Sequence, residues 1–273
     1  MATSWLVNGA EAAVDPGDRG LAYGDGLFEM MAVLDGAIRR LDLHLDRLTE
    51  GCRRLSITAP GLDAILSDLE KLRPTASRSI AKLIVTRGTG TRGYVSASDA
   101  QTTRIFGIHP WPDYPASNYS DGVAVRNCEL RLGENPTLAG IKHLNRLEQV
   151  LARMEWSAGP WAEGLLTDTS GSVVGGTMNN VFAVRGDTLR TPTLRRCGVK
   201  GVMRRIVMEL APGQGLNAEE CDFAPGELTT SDEIFLTNAV IGIWPVRQLD
   251  QKRFAPGAVT RRLMDAVEAI VHA

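Results

Sequence analysis

Lysine is scarce in this 273-residue chain. Of its 30 basic residues only Lys71, Lys82, Lys142, Lys200 and Lys252 are lysines, so a lysine placed for chemistry is easy to shortlist. A basic excess is also missing: 30 cationic against 32 anionic side chains give a net charge of −2. Nothing therefore drives sequence-independent attraction to phosphate backbones, which excludes a general nucleic-acid binder. No run of about 18 apolar residues occurs, which excludes a membrane-spanning helix. The opening residues Met1 to Gly9 carry neither a basic n-region nor an apolar core, so no secretory signal is read there. Cys52, Cys128, Cys197 and Cys221 form no Cys-x-x-Cys pair, and His44, His109, His143 and His272 are equally scattered. That distribution supports neither a disulfide framework nor a zinc site. The expectation is a cytoplasmic, metal-free protein.

What is present is ordinary globular composition, 44% hydrophobic and 23% charged, in a length that allows one large domain or two modest ones. Hydrophobic spacing predicts a helix from Asp42 with Leu45, Leu48, Cys52 and Leu55 on one stripe and Asp42 as N-cap. A second helix carries Leu62, Ile65, Leu69 and Leu72. Strands are expected at Leu27 to Leu34, Ile80 to Thr86, Arg104 to His109, Val123 to Arg126, Gly164 to Thr167, Val173-Val174, Val181 to Val184 and Glu233 to Leu236. Trp5 to Val7 with Asn8-Gly9, and Leu27 to Leu41 around Asp35-Gly36, read as hairpins. Further helices are expected from His143 to Glu155, with Leu144, Leu147, Leu151 and Met154 inward, from near Gly201, and over the last apolar stripe to Val271. Three prolines between His109 and Ser117 mark a boundary. The fold class is mixed α/β, with domains at 1–112 and 121–273 joined by a linker at 113–120.

Gly88-Thr-Gly90-Thr-Arg-Gly93 matches a dinucleotide-binding pattern, but no helical stripe follows it, so a hairpin turn or the wall of a site fits better. Lys142, in Ala139-Gly-Ile-Lys-His-Leu, is expected at the start of an amphipathic helix. Burial and the helix dipole would both favour its neutral form, as a Schiff-base lysine requires. A solvated lysine is the other reading, and spacing alone leaves both open. Cys197-Gly-Val-Lys-Gly201-Val-Met-Arg places glycines before a helix, where free N–H groups can cradle a phosphate; a plain turn is equally common. Arg47, beside the stripe of its helix, is a candidate guanidinium partner for that phosphate or a surface arginine.

Six ordered segments resemble the fold-type IV pyridoxal-phosphate enzymes, and among them the aminodeoxychorismate lyases. They are Asp18 to Glu29, His44 to Leu48 with Gly51 to Leu55, Lys82 to Tyr94, Gly140 to Leu151, Arg196 to Arg204, and Phe235 to Ala239 with Gly242 to Val246. The resemblance implies a two-domain, homodimeric lyase of the D-amino-acid-aminotransferase-like fold, acting on a small molecule with pyridoxal 5'-phosphate as cofactor. It would convert 4-amino-4-deoxychorismate to 4-aminobenzoate and pyruvate for folate synthesis. It assigns Lys142 to the Schiff base and to acid/base work, and Arg47 with the backbone of Gly201 and Val202 to the cofactor phosphate. Asn180 and Asn238 fall near the cofactor, and Arg92, Tyr94 and Met30 on the substrate side. Two positions depart from the family. Gly175 stands where a Glu usually pairs with the pyridine nitrogen, and Met30 where a Thr is common. Restoring the carboxylate by Gly175→Glu is expected to change cofactor absorbance more than lyase turnover. The alternatives are an aminotransferase for D- or branched-chain amino acids and a non-catalytic pyridoxal-phosphate-binding relative.

Overall fold

The computed structural model describes residues 4–90, 92–95 and 100–271. Met1 to Thr3, Thr91 of the glycine-rich pattern, Ser96 to Asp99, His272 and Ala273 lie outside the described residues. The chain divides into two compact units, 1–112 with 141–145, and 113–140 with 146–273.

The first unit contains β1 (Ser4–Val7), α1 (Arg19–Tyr23), β2 (Gly26–Leu34), β3 (Ala37–Ile38), α2 (Leu41–Leu55), α3 (Leu62–Leu72), β4 (Arg78–Thr86) and β5 (Thr103–Pro110). Its sheet runs β1-β5-β4-β2-β3, with every pairing antiparallel. The partner of β1 is β5, and Asn8-Gly9 only closes a tight turn between Val7 and Ala10. Alternation along β2 sends Leu27, Glu29 and Met31 to the buried face under α2, while Phe28 and Met30 share the opposite, half-buried face. α2 approaches closely because residue 51 is glycine: a Cβ there would lie 2.8 Å from a Leu27 methyl. The N-cap of α2 is Arg40, not Asp42. Arg40 takes a left-handed conformation, and Asp42 sits in the first turn, paired with it.

The second unit contains α4 (Ser117–Ser120), β6 (Val123–Leu132), α5 (Leu147–Arg153), β7 (Trp161–Asp168), β8 (Val173–Gly176), β9 (Asn180–Arg185), β10 (Thr188–Thr191), α6 (Val202–Leu210), β11 (Asn217–Glu220), α7 (Pro225–Leu228), β12 (Glu233–Asn238), β13 (Gly242–Leu249), β14 (Lys252–Arg253) and α8 (Ala258–Val271). The strand order is β11-β10-β9-β12-β13-β6-β7-β8, with β14 paired to β13. β10–β11, β13–β6 and β6–β7 are parallel; the other pairs are antiparallel. Val125, Val181, Leu236 and Trp244 anchor one core. α6 and α8 pack on β12, where Phe182 and Phe235 stack at 5.0 Å. Residues 113–120 are not a free linker: Tyr114 meets Trp244 edge-on at 4.7 Å, and 117–120 form a helical turn.

The helix expected from His143 starts only at Leu147. Residues 142–144 instead run along the edge of β2: Phe28 N–H donates to the Lys142 carbonyl at 3.0 Å, and Leu144 N–H to the Gly26 carbonyl at 2.9 Å. These long-range bonds occupy backbone groups that a helix would need for itself. Lys142 therefore belongs to the first unit, not to the carboxyl-terminal one, and the helix-dipole argument for its charge does not apply. Leu147 (69% exposed), Leu151 and Met154 (72%) point to solvent, not inward.

Candidate active site

In the first unit, Lys142 is half-buried and its Nζ lies 4.3 Å from the centroid of the Phe28 ring. Met30 shares that half-buried face of β2 with Phe28. On the opposite face Glu29 leaves β2 toward α2. Its Oε1 accepts from Arg47 Nε at 2.8 Å, and its Oε2 accepts from Arg47 Nη2 and lies 2.7 Å from His44 Nδ1. Burial raises the Glu29 pKa, but the Arg47 charge and the hydrogen bonds from His44 and Arg47 outweigh it, holding the group at about 2.

Arg92 and Tyr94 are exposed on the loop after β4. Arg19 secures that loop: Nη1 donates to the Gly93 carbonyl at 2.9 Å, Nη2 to the Tyr94 carbonyl at 3.0 Å, and Nε to Asp25 at 2.9 Å. Gly88 has φ +88°, and a Cβ there would lie 1.8 Å from the Gln101 carbonyl oxygen, so the glycine closes the turn. No helix opens at Gly88 to Gly93 among the described residues, which removes the dinucleotide reading.

In the second unit, Asn180 clamps the turn before α6. Its Nδ2 donates to the Val199 carbonyl at 2.9 Å, and its Oδ1 accepts from Gly201 N–H at 3.1 Å. A Cβ on Gly201 would lie 2.1 Å from that Oδ1, so any other residue would push the Asn180 amide out of its place. Gly201 N–H is already engaged, so the first-turn donors that an anion could meet begin at Val202, the first residue of α6. The first-turn N–H groups of a helix have no carbonyl partner behind them and favour an anion.

Asn238 is held as firmly. Its Nδ2 donates to Asn179 Oδ1 at 2.6 Å, and its Oδ1 accepts from Val240 and Ile241 N–H at 2.8 and 2.9 Å. Behind Asn179 stands Glu163, fully buried. It accepts from the N–H groups of Gly164, Thr177 and Met178, from the Thr177 hydroxyl at 2.5 Å, and from Asn179 Nδ2. Each asparagine nitrogen retains one further hydrogen beyond these contacts.

Gly175 has φ +157°, and a Cβ there would lie 2.8 Å from the Asn179 carbonyl oxygen. Glutamate at 175 therefore needs a different local backbone. Glu163 does not stand in for it, because Gly175 pairs with Leu166, whose side chain leaves β7 on the face opposite Glu163.

Sequence reasoning did not single out Glu29 or Glu163. The available signal was a carboxylate inside an apolar strand, where burial demands donors. In the first unit a primary amine beside an aromatic ring and a half-buried arginine, and in the second unit a helix N-terminus behind a glycine, each suit one part of a phosphorylated aldehyde.

Residues 26–249 match the amino-transferase class IV family. An aminodeoxychorismate lyase of Vibrio harveyi is 31% identical over 95% of this chain and 97% of its own length. A D-alanine aminotransferase of Bacillus licheniformis is 28% identical over 96% and 93%. The crystal structure of 4-amino-4-deoxychorismate lyase from Pseudomonas aeruginosa superposes with a TM-score of 0.92 at 48% identity, covering 97% of this chain and 98% of that one. With the family match spanning most of its length, this chain belongs to the class IV aminotransferases, the pyridoxal-phosphate-dependent enzymes of fold type IV.

Proposed function

We propose that this chain is a lyase that converts 4-amino-4-deoxychorismate to 4-aminobenzoate and pyruvate, working as a cytoplasmic homodimer in folate synthesis. The observation that carries this reading is the 48% identity to the Pseudomonas aeruginosa lyase over nearly the whole of both chains. Lys142 anchors the cofactor through Nζ. Arg47 and the N–H groups from Val202 onward hold the phosphate, and Gly201 serves by leaving room for Asn180. Asn180 and Asn238 keep the turns beside the cofactor in place. Pyridoxal phosphate supplies an electron sink for the charge left when a proton leaves the substrate.

Lys142 Nζ accepts a ring proton of the substrate beside its amine. The carbon–oxygen bond to the enolpyruvyl group then breaks on the neighbouring carbon and the ring becomes aromatic. The departing enol takes up a proton to give pyruvate. Aromatisation drives this elimination, which makes the missing carboxylate at Gly175 tolerable. Arg92 offers a cation to the substrate's carboxylates, with Tyr94 and Met30 shaping the same side. The dimer is supported by α5, whose Leu147, Val150, Leu151 and Met154 are exposed together.

The 28% identity to a D-alanine aminotransferase favours a second reading, amino-group transfer. Supplying 4-amino-4-deoxychorismate and D-alanine in separate assays decides between them. The lyase reading expects 4-aminobenzoate from the first and little cofactor conversion by the second. Rapid conversion by D-alanine without 4-aminobenzoate would establish the aminotransferase. No turnover of either substrate, with a lysine-bound cofactor spectrum, would leave the non-catalytic relative.

A further inference from the structure

We propose that Glu29 is a positioning residue for the cofactor phosphate: it fixes the Arg47 guanidinium in the orientation in which Arg47 meets that phosphate. This rests on Arg47 being a phosphate ligand, as proposed above. Glu29 stands within β2, where its neighbours from Gly26 to Leu34 carry no other charge, and it is 1% exposed. A carboxylate buried in an apolar strand is costly unless its donors are fixed.

Here both oxygens are engaged by α2. Arg47 grips them with Nε and Nη2, and His44 Nδ1 meets Oε2 at 2.7 Å. His44 and Arg47 are three residues apart and lie on one face of the helix, so a single carboxylate ties the helix to the strand. Two parallel bonds to one guanidinium fix its plane as well as its position, which a lone bond does not. A buried ion pair is weak evidence for stability, since apolar side chains of similar volume often serve as well. Fixing the plane of the guanidinium is what the pair provides and apolar packing does not.

The test uses the full-length chain freed of cofactor and titrated with pyridoxal 5'-phosphate and, separately, with pyridoxal, which has the same ring and aldehyde but no phosphate. Glu29→Gln keeps the volume but turns one acceptor into a donor facing the guanidinium. It should weaken pyridoxal phosphate on the order of tenfold, the scale of one misplaced charge-assisted hydrogen bond, and leave pyridoxal unchanged. In an Arg47→Met background the same substitution should change nothing further. An equal loss for both ligands, or an unchanged affinity for pyridoxal phosphate, overturns the proposal. If Arg47→Met fails to separate the two ligands, the phosphate role of Arg47 falls and this inference with it. If Arg47→Met separates them and Glu29→Gln does not, only the Glu29 inference falls. Glu29→Asp retains the charge one methylene short of Arg47 and supplies the same comparison if the Gln variant does not fold. A selective loss supports the proposal and a non-selective loss overturns it.

Discussion

Glu29 couples stability to pH. Its pKa is about 2 in the folded chain against an ordinary value of 4.5, so the folded state holds the carboxylate deprotonated more strongly than the unfolded one does. That contribution is fully present above about pH 5 and is lost as the pH falls through 4.5 toward 2. Thermal unfolding of the wild type should show this loss, and Glu29→Gln should flatten that part of the profile. A parallel profile in the variant would contradict the assignment. Three cysteines behave oppositely. Burial pushes Cys52 up to about 11 and, with nearby carboxylates adding to it, Cys128 and Cys197 up to about 12. A thiol-reactive reagent at pH 7.5 should label these three slowly in the native protein, and fast labelling of any of them would count against its raised pKa.

At this scale Lys142 stands out as a candidate because lysine is rare, and Arg47 because it flanks an apolar stripe. Their settings were not legible. The neighbour of Lys142 is a strand more than a hundred residues earlier, and the partner of Arg47 lies on another element.

At the scale of elements, most strands and the helices over 41–55, 62–72 and 202–210 follow their hydrophobic spacing. The segment 143–155 does not. Its three- and four-residue apolar spacing is genuine, but the edge of β2 captures residues 142–144, and the stripe that remains on α5 faces outward. Spacing reports which residues avoid water and not what covers them. The strands over 188–191, 217–220 and 242–249 went unread for a related reason. The first two are short strands at one edge of the sheet, and Trp244-Pro245 interrupts the third. The turn before α6 gives a direct test. Gly201→Ala brings a methyl against Asn180 Oδ1 and should cost about 1–3 kcal/mol, the usual range for overpacking. It should also weaken cofactor binding, because the clamp on Val199 and Gly201 must open. A folded variant with unchanged stability and cofactor affinity would show that the clamp is dispensable.

For the molecule as a whole, the two units and the mixed α/β class were legible from the proline cluster and the element order, and the family from six separated segments. The allocation of 141–145 to the first unit was not, since it depends on sheet pairing across the sequence. The exposed face of α5 makes a prediction at this scale. Leu151→Glu with Met154→Glu should lower the mass seen by light scattering from that of a dimer to that of a single chain. An unchanged dimer would move the interface elsewhere. The most direct measurement is an assay of 4-aminobenzoate fluorescence and pyruvate on enzymatically generated 4-amino-4-deoxychorismate, comparing the wild type with Lys142→Ala. Equal amounts of both products from the wild type and none above background from the variant are predicted. Turnover that survives in Lys142→Ala, or a cofactor-loaded wild type that forms neither product, would contradict the assignment.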